Sequence, residues 1–362
     1  MAPKKLTVLR VIWANLDPNL LRIISKKLGD ISSFVCFRAV CKRRRAATSI
    51  SDPPAQFPWV IDWPRGKGKL DDTFRFYSFN SRKTHTYQVP DAHIYGPSDG
   101  HMLIYEGYRS NKECQSFLNP LAWTERFVPE EVPVDNVHPI RLGRNLIKNE
   151  PALVYEKSAH CTLYLSQSAK HKWTKMRVPL FKTVAFYDHK FFLTDYGIEN
   201  SRIRVIDEAT GVVLPYLALP TDDFYHGYLI ATDDGLLAVE VKGSITVMPF
   251  LLIDVKECQF EVYRLENYPQ NSHWNKLSGI GDLMLFLDQQ NGFSLKASDI
   301  GGFKGNCIYF ITTGSKKPKA GSEHVIGRFD MELNTTERIP APAWLGIRTW
   351  ERQAAWFLPT LK

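Results

Sequence analysis

The chain has 362 residues, of which 44% are hydrophobic and 23% charged, a composition typical of a folded globular protein. No apolar run approaches the roughly 20 residues that a membrane-spanning helix needs, and six scattered cysteines without a Cys-x-x-Cys pair argue against a disulfide framework or a zinc site. Residues 1–69 hold 14 Lys/Arg and 4 Asp/Glu, a net of +10, which leaves 46 − 14 = 32 basic and 38 − 4 = 34 acidic residues, a net of −2, for the remainder.

This uneven charge predicts an acidic partner for the first segment, such as an acidic protein surface, nucleic acid or anionic lipid. Two simpler readings are a nuclear-import signal around Lys42-Arg43-Arg44-Arg45 and a solvated helix face.

A first helix is predicted to begin at residue 17. Asp17 suits the N-cap, where a carboxylate accepts a hydrogen bond from an unpaired helix amide, and Pro18 suits the first helical position. Gly29 is expected to end this helix in the left-handed conformation. The apolar residues recur every three to four positions and form one stripe: Leu20, Leu21, Ile24 and Leu28.

A second helix is predicted to start near Ser32 or Ser33, and a third, basic helix to run to about Ser49. The second helix presents a further apolar set: Phe34, Phe37, Val40 and Cys41. Helices this short are marginal alone, so their apolar stripes must be buried on each other, on the next domain or on a partner.

The pattern changes after Ser51. Pro53, Pro54 and Pro58 indicate a rigid connection, because proline neither donates a backbone hydrogen bond nor continues a helix. Beyond them, short β-branched and aromatic runs alternate with Gly, Pro, Asn or Asp turns, such as Phe74–Phe79 and Cys307–Thr312. Many short strands of this kind indicate an all-β sandwich, barrel or propeller.

An internal repeat favours the propeller. Segments opening at Asn80, Asn119, Asp207 and Asp330 each place Asn or Asp at a turn, followed by a strand that ends in an apolar residue and proline. The span from 80 to 330 is 250 residues, which six steps of about 42 would fill, close to the length of a four-stranded blade. We predict seven blades, with six as the alternative, and expect the run 355–359 to close the ring on the first blade.

The segment from Trp13 to Leu21, with Ile24, Leu28 and Phe37-Arg-Ala-Val-Cys-Lys42, closely resembles the F-box of plant F-box proteins. Later segments resemble the plant KIB-type propeller family, among them Phe260–Leu265, Gly305–Phe310 and Trp356–Pro359. The resemblance implies an α+β multidomain protein: an F-box of three helices over residues 1–50, a Pro-containing linker and propeller entry over 51–69, and an all-β propeller over 70–362.

The resemblance further implies that the F-box helices bind an acidic Skp-type adaptor, and through it a cullin, while the propeller holds a protein substrate for ubiquitination. The implied adaptor-binding residues are Leu16, Pro18, Leu20, Leu21, Ile24, Leu28, Phe34, Phe37, Val40 and Cys41. Two residues depart from the family pattern: Asp17 replaces its first Pro, and Arg44 replaces a Trp that anchors the third helix. An aromatic residue there buries about 150–250 Å², so its loss weakens the packing.

No nucleotide, metalloprotease or hydrolase motif occurs in the sequence, so we expect no enzyme activity, catalytic residue, cofactor or metal. Two alternatives to a ligase receptor are open. One is a non-ligase propeller that sequesters a partner, which could be a kinase, and carries a degenerate F-box. The other is organellar targeting or nucleic-acid binding through the basic segment. We expect the chain in the nucleus and/or the cytoplasm, with neither membrane nor nucleic acid as a partner, and the sequence does not identify its substrate.

Overall fold

The structure is a computed structural model. It describes residues 16–50, 53–64, 73–88, 92–98, 101–106, 114–122, 124–127, 137–140, 152–157, 160–167, 172–178, 181–195, 202–222, 224, 227–242, 255–288, 292–315, 322–346, 352–359 and 361.

Within the described residues, three short helices precede the strands: α1 (Pro18–Lys26), α2 (Ile31–Ala39) and α3 (Lys42–Ala47). The predicted start of α1 is confirmed, because the Asp17 carboxylate accepts a hydrogen bond from the Asn19 N–H at 2.7 Å and Pro18 occupies the first turn. A fourth helix, α4 (Ala297–Ile300), lies among the last strands.

Two predicted helix boundaries were wrong. Helix α1 ends at Lys26, and the N–H of Lys27 donates to carbonyls of the last turn. Gly29 therefore lies beyond the end of the helix, and its φ is not positive. Helix α2 begins at Ile31 rather than at Ser32 or Ser33, because the Asp30 carboxylate caps it by accepting from the Ser33 N–H at 2.8 Å. This acidic cap, two residues before Ser32, was available in the sequence.

The described strands form five four-stranded sheets and one five-stranded sheet, which we number as blades 1 to 6. Blade 1 orders its strands as β25 (Arg352–Phe357), β1 (Trp59–Pro64), β2 (Thr73–Ser78) and β3 (Lys83–Gln88). Blade 2 contains β4 (Ala92–Ser98), β5 (His101–Glu106), β6 (Cys114–Asn119) and β7 (Thr124–Phe127). Blade 3 contains β8 (Val137–Ile140), β9 (Ala152–Lys157), β10 (His160–Gln167) and β11 (Lys172–Val178).

The other three blades follow in chain order. Blade 4 contains β12 (Phe181–Tyr187), β13 (Lys190–Asp195), β14 (Ile203–Asp207) and β15 (Val213–Leu217). Blade 5 contains β16 (Tyr228–Thr232), β17 (Gly235–Lys242), β18 (Gln259–Glu266) and β19 (His273–Leu277). Blade 6 orders its strands as β21 (Gly292–Lys296), β20 (Leu283–Leu287), β22 (Cys307–Ser315), β23 (Ser322–Asp330) and β24 (Thr335–Ile339).

At four junctions between neighbouring blades the strands at the inner ends of the sheets contact each other, which places them around the centre of the ring: β25 with β4, β4 with β8, β12 with β16, and β16 with β21. Strand β25 pairs antiparallel with β1, from Trp59 opposite Phe357 to Pro64 opposite Arg352. The predicted closure of the ring on its first blade is therefore confirmed, and β1 does not present a free edge.

The predicted count of seven blades is not supported, since the described strands make the six sheets above. The repeat itself was read correctly. Its turns join the two outermost strands of a blade, and the Oδ1 atoms of Asn119, Asp207 and Asp330 accept hydrogen bonds from backbone N–H groups two or three residues later. Between Asn80 and Asp330 there are five steps over 330 − 80 = 250 residues, an average of 50. The extra strand and α4 of blade 6 account for part of this greater length.

The hydrophobic core lies between adjacent blades. Strand β20 is a continuous apolar run whose five residues are all buried, because its neighbours cover both faces. Its Leu285 joins the interface between blades 5 and 6, and its Phe286 joins the interface between blades 6 and 1. The outermost strands β3, β19 and β24 are mostly exposed, as expected of a ring that turns its last strands towards solvent.

The segment predicted as a linker packs into this core. Phe57 is buried, stacks on Phe303 with ring centroids 3.9 Å apart, and meets Phe286 and Tyr309 edge-on at 5.2 Å. Because Phe57 lies at the junction of blades 6 and 1, the chain between the helices and β1 is fixed to the ring.

Candidate protein-binding surface

Helix α1 has a buried and an exposed apolar side. Leu21 and Ser25, one turn apart, are buried, whereas Leu20 is 49% and Ile23 55% exposed. The stripe predicted from Leu20, Leu21, Ile24 and Leu28 is therefore rotated: Leu21 faces inward, Ile24 and Leu28 are half-buried, and the outward pair is Leu20 with Ile23. One face of α1 supports the fold while the other offers apolar surface to solvent.

Helix α2 is divided in the same way. Ile31 and Phe34 are buried on its inner side, where they cluster with Leu361, which follows β25. Val35, on the outer side, is 44% exposed, and Val40, just after the helix, is 63% exposed. The inner side thus attaches the helix to the ring and leaves the outer side uncovered.

Arg44, which departs from the family pattern, lies over a buried ring. Its guanidinium carbon is 4.7 Å from the centroid of Phe37. A cation–π contact of this kind contributes about 0.5–1 kcal/mol at an exposed site. Burial of a tryptophan would contribute several times more at about 25 cal/mol per Å², so Arg44 compensates for the missing aromatic only in part.

Five large apolar side chains of residues 16–50 are exposed, and we call them the exposed apolar set: Leu20, Ile23, Val35, Val40 and Ile50. The described part of the ring is several times longer, yet it exposes only four: Val212, Val213, Tyr216 and Leu333. Scattered exposed apolar residues are normal, but a concentration in a short segment is typical of a protein-binding surface.

The predicted adaptor-binding residues divide by exposure. Pro18, Leu20 and Val40 are exposed, and Leu16, Ile24, Leu28 and Cys41 are half-buried. Leu21, Phe34 and Phe37 are buried, so in this arrangement they hold the helices in place rather than offering surface to another protein. Adaptor binding by the other seven stays a prediction.

Sequence reasoning missed three members of the exposed apolar set: Ile23, Val35 and Ile50. A signal for Ile23 existed, because positions 16, 20 and 23 follow the helical period. Val35 lies in the unbroken apolar run from Phe34 to Phe37, in which periodicity cannot separate inner from outer positions.

The surroundings of this surface are cationic. Residues 16–50 contain eight Lys/Arg and two acidic residues, Asp17 and Asp30, and both acidic side chains serve as helix caps. Six of the basic side chains are exposed: Arg22, Lys26, Lys27, Lys42, Arg43 and Arg45. A partially apolar surface with a basic surround favours an acidic protein partner, with charge speeding the encounter.

Within the described residues, no group of three or more His, Cys, Asp or Glu side chains could hold a metal ion. None of the helices in those segments has the length and apolar character to cross a membrane. In the same described segments, Cys36, Cys41, Cys258 and Cys307 do not form disulfide bonds.

The fold and the helical surface together define a class: a closed β-propeller that carries a small helical protein-binding module. The profile of the KIB1-4 beta-propeller family matches residues 76–330, and the chain belongs to this family. The family assignment and the relatives below confirm the resemblance to plant F-box proteins with a KIB-type propeller.

Curated relatives are F-box proteins of Arabidopsis thaliana. F-box protein SKIP23 is 23% identical over 337 residues, which cover 80% of this chain and 81% of the relative. Putative F-box protein At4g22180 is 28% identical over 402 residues, covering 96% and 94%. Among solved structures, TolB from Acinetobacter baumannii matches with a TM-score of 0.49 and 10% identity, covering 87% of this chain and 73% of that one. The relatives support a protein-interaction role for this F-box and propeller.

Proposed function

We propose that the chain is the substrate-recognition subunit of an SCF-type ubiquitin ligase. In this role its helices bind a Skp-type adaptor that bridges to a cullin, and its propeller binds a protein substrate in the nucleus and/or cytoplasm. The observation that carries the proposal is the exposed apolar set, which stays uncovered although the same helices are packed on the ring. The names of the relatives support the adaptor as the occupant.

The energetics fit a binding role. Fully burying an exposed Leu or Ile side chain contributes about 1.5–3 kcal/mol. Because Leu20 is 49% and Ile23 55% exposed, covering both at the centre of an interface supplies about that much affinity in total. The basic surround adds mainly to the association rate and to its salt dependence. Catalysis of ubiquitin transfer would belong to other subunits, and we assign no catalytic residue to this chain.

The first test measures binding of a purified Skp-type adaptor by calorimetry. The variant Leu20→Asp/Ile23→Asp should weaken binding at least 100-fold, because it removes two apolar contacts and places charges in the interface. Val212→Asp/Val213→Asp is the matched control, since it adds the same charges at exposed apolar positions of the ring. No measurable binding by the wild-type protein would refute the proposal.

The second test separates a ligase receptor from a sequestering protein. Proximity labelling would be compared for the wild-type protein and Leu20→Asp/Ile23→Asp, with and without a proteasome inhibitor. A receptor predicts labelled proteins that accumulate on inhibition only with the wild-type chain. Partners labelled equally under all four conditions would favour the sequestering alternative.

A further inference from the structure

The helical module rests on the outer turns of two adjacent blades. Leu121, in the turn between β6 and β7 of blade 2, packs against the cluster of Ile31, Phe34 and Leu361. In blade 1, the side chain of Asn80, in the turn between β2 and β3, donates a hydrogen bond from Nδ2 to the carbonyl of Gly29 at 2.5 Å. We call Asn80, Leu121 and Leu361 the seat of the helices.

Asn80 differs from its counterparts in the other blades. At the equivalent turns, the side chains of Asn119, Asp207 and Asp330 accept hydrogen bonds from their own turn backbone. Asn80 instead uses its amide as a donor to the loop between α1 and α2. An ionised carboxylate in place of the Asn80 amide would have no proton to donate to the Gly29 carbonyl.

Leu361 joins the seat to ring closure. It lies four residues beyond the end of β25, the strand that completes blade 1, and it is buried against Ile31 and Phe34. The strand that closes the ring therefore leads directly into the residue that holds α2.

Two further interactions lie beside the seat, one within blade 1 and one between α1 and the segment before β1. The ring of His85, on β3, stacks on Trp59 with centroids 5.2 Å apart. Burial is the main influence on the pKa of His85 and lowers it, and the Asp30 carboxylate, which caps α2, acts in the opposite direction. Lys26 of α1 also donates to the carbonyl of Pro53 at 3.3 Å.

The seat and the exposed apolar set use opposite sides of the same helices. On α2, Ile31 and Phe34 face the seat whereas Val35 faces away. A protein bound to the exposed apolar set would therefore leave the seat in place.

We propose that Asn80 and Leu361 are positioning residues that fix the helical module on the propeller, so that an adaptor on the helices and a substrate on the ring are held in one relative orientation. This inference rests on the proposed function for its purpose, but the attachment itself is measurable in the chain alone.

The test is single-molecule energy transfer between dyes introduced through non-canonical amino acids at positions 46 and 213, both exposed, one on α3 and one on blade 4. The wild-type chain should give one narrow distance distribution, with or without a Skp-type adaptor. Leu361→Asp and Asn80→Asp should each broaden the distribution at least twofold, while adaptor affinity changes less than about threefold.

Two conservative variants control for general damage. Leu361→Met keeps an apolar side chain of similar volume, and Asp207→Asn, in the equivalent turn of blade 4, keeps an oxygen that accepts from the Thr210 N–H, so both should retain the narrow distribution. If Leu361→Asp fails to fold, Asn80→Asp still tests the idea, since it alters a single donor at the surface of a turn.

Narrow distributions in both Leu361→Asp and Asn80→Asp would overturn the inference, as would equal broadening by Asp207→Asn. Loss of adaptor binding in the wild-type chain would instead refute the proposed function. The two failures are therefore distinguishable.

Discussion

The ring and the helical module place their large apolar side chains differently. Eleven of the twelve largest fully buried side chains in the described residues belong to the ring and to Phe57 before it, and only Phe34 belongs to the helices. Five of the nine large apolar side chains that are exposed belong to the helices. The ring thus uses apolar residues for its own stability, and the module keeps many of its apolar residues available for another protein.

The largest effect is expected in the ring, at the buried ion pair that joins β25 to β1. The Arg352 guanidinium contacts the Asp62 carboxylate and donates to the carbonyl of Thr73 at 2.7 Å, and Asp62 is fully buried. Arg352→Ala leaves a buried carboxylate without its main partner and should lower the free energy of unfolding by about 3–5 kcal/mol. Urea denaturation measures this.

A double variant sharpens the same point. Asp62→Leu/Arg352→Met removes both charges, and its stability should recover most of the loss, since apolar replacements of buried pairs are often neutral. Wild-type stability of Arg352→Ala would mean that backbone pairing alone closes the ring.

A second prediction concerns the inner side of the module. Phe34→Ala should cost about 3 kcal/mol, at the low end for a buried Phe, because its cluster is small. We expect the loss to be local: hydrogen exchange should accelerate in residues 18–47 and stay unchanged in β20. Phe286→Ala, in the ring, should accelerate exchange throughout the blades. Equal acceleration in both variants would show that module and ring unfold as one unit.

The third prediction concerns the cap of α1. Asp17→Ala removes the carboxylate that accepts from Asn19 and should cost about 1 kcal/mol of helix stability. Amides of residues 19–26 should exchange about fivefold faster, whereas Asp17→Ser should retain most of the protection. An unchanged exchange rate in Asp17→Ala would mean that packing alone holds the first turn.

The smallest effect is a pH dependence at the boundary between the two regions. Burial, and then Lys83, lower the pKa of His85 from its ordinary 6.5, and Asp30 opposes them. The unfolded chain therefore binds a proton on His85 at higher pH than the folded chain, and stability should fall as the pH drops below about 6.5, levelling off below the folded pKa. Denaturation midpoints between pH 7.5 and 5 measure it. His85→Gln should reduce the slope, and an equal slope would assign the dependence to other groups.

Local signals predicted the fold well where they were strong. The helix start at Asp17–Pro18 and the four turns of the repeat depend on short-range chemistry. The pairing of the last strand with the first blade depends on a free strand edge that needs a partner. The blade count failed because it assumed a constant step, and the inserted α4 and fifth strand of blade 6 leave no periodic trace in the sequence.

The candidate surface was predicted only in part. The apolar residues of α1 and α2 were found, but their inner and outer sides were not separated, because Leu20 and Leu21 are adjacent and equally apolar. What decides between them is the position of the ring. Leu361 contacts α2 across more than 300 residues of sequence, and no local pattern encodes such a contact.

The pairing of β25 with β1 has a consequence for biosynthesis. One edge of β1 pairs with β2, but Asp62 and Arg352 are 290 residues apart, so a ribosome must complete nearly the whole propeller before the other edge of β1 meets β25. Contacts between such distant segments slow folding, and an unpaired strand edge invites aggregation until its partner is made. We therefore expect the nascent chain to depend on chaperones until synthesis passes residue 357, and the helices, although made first, to gain their contact with Leu361 last.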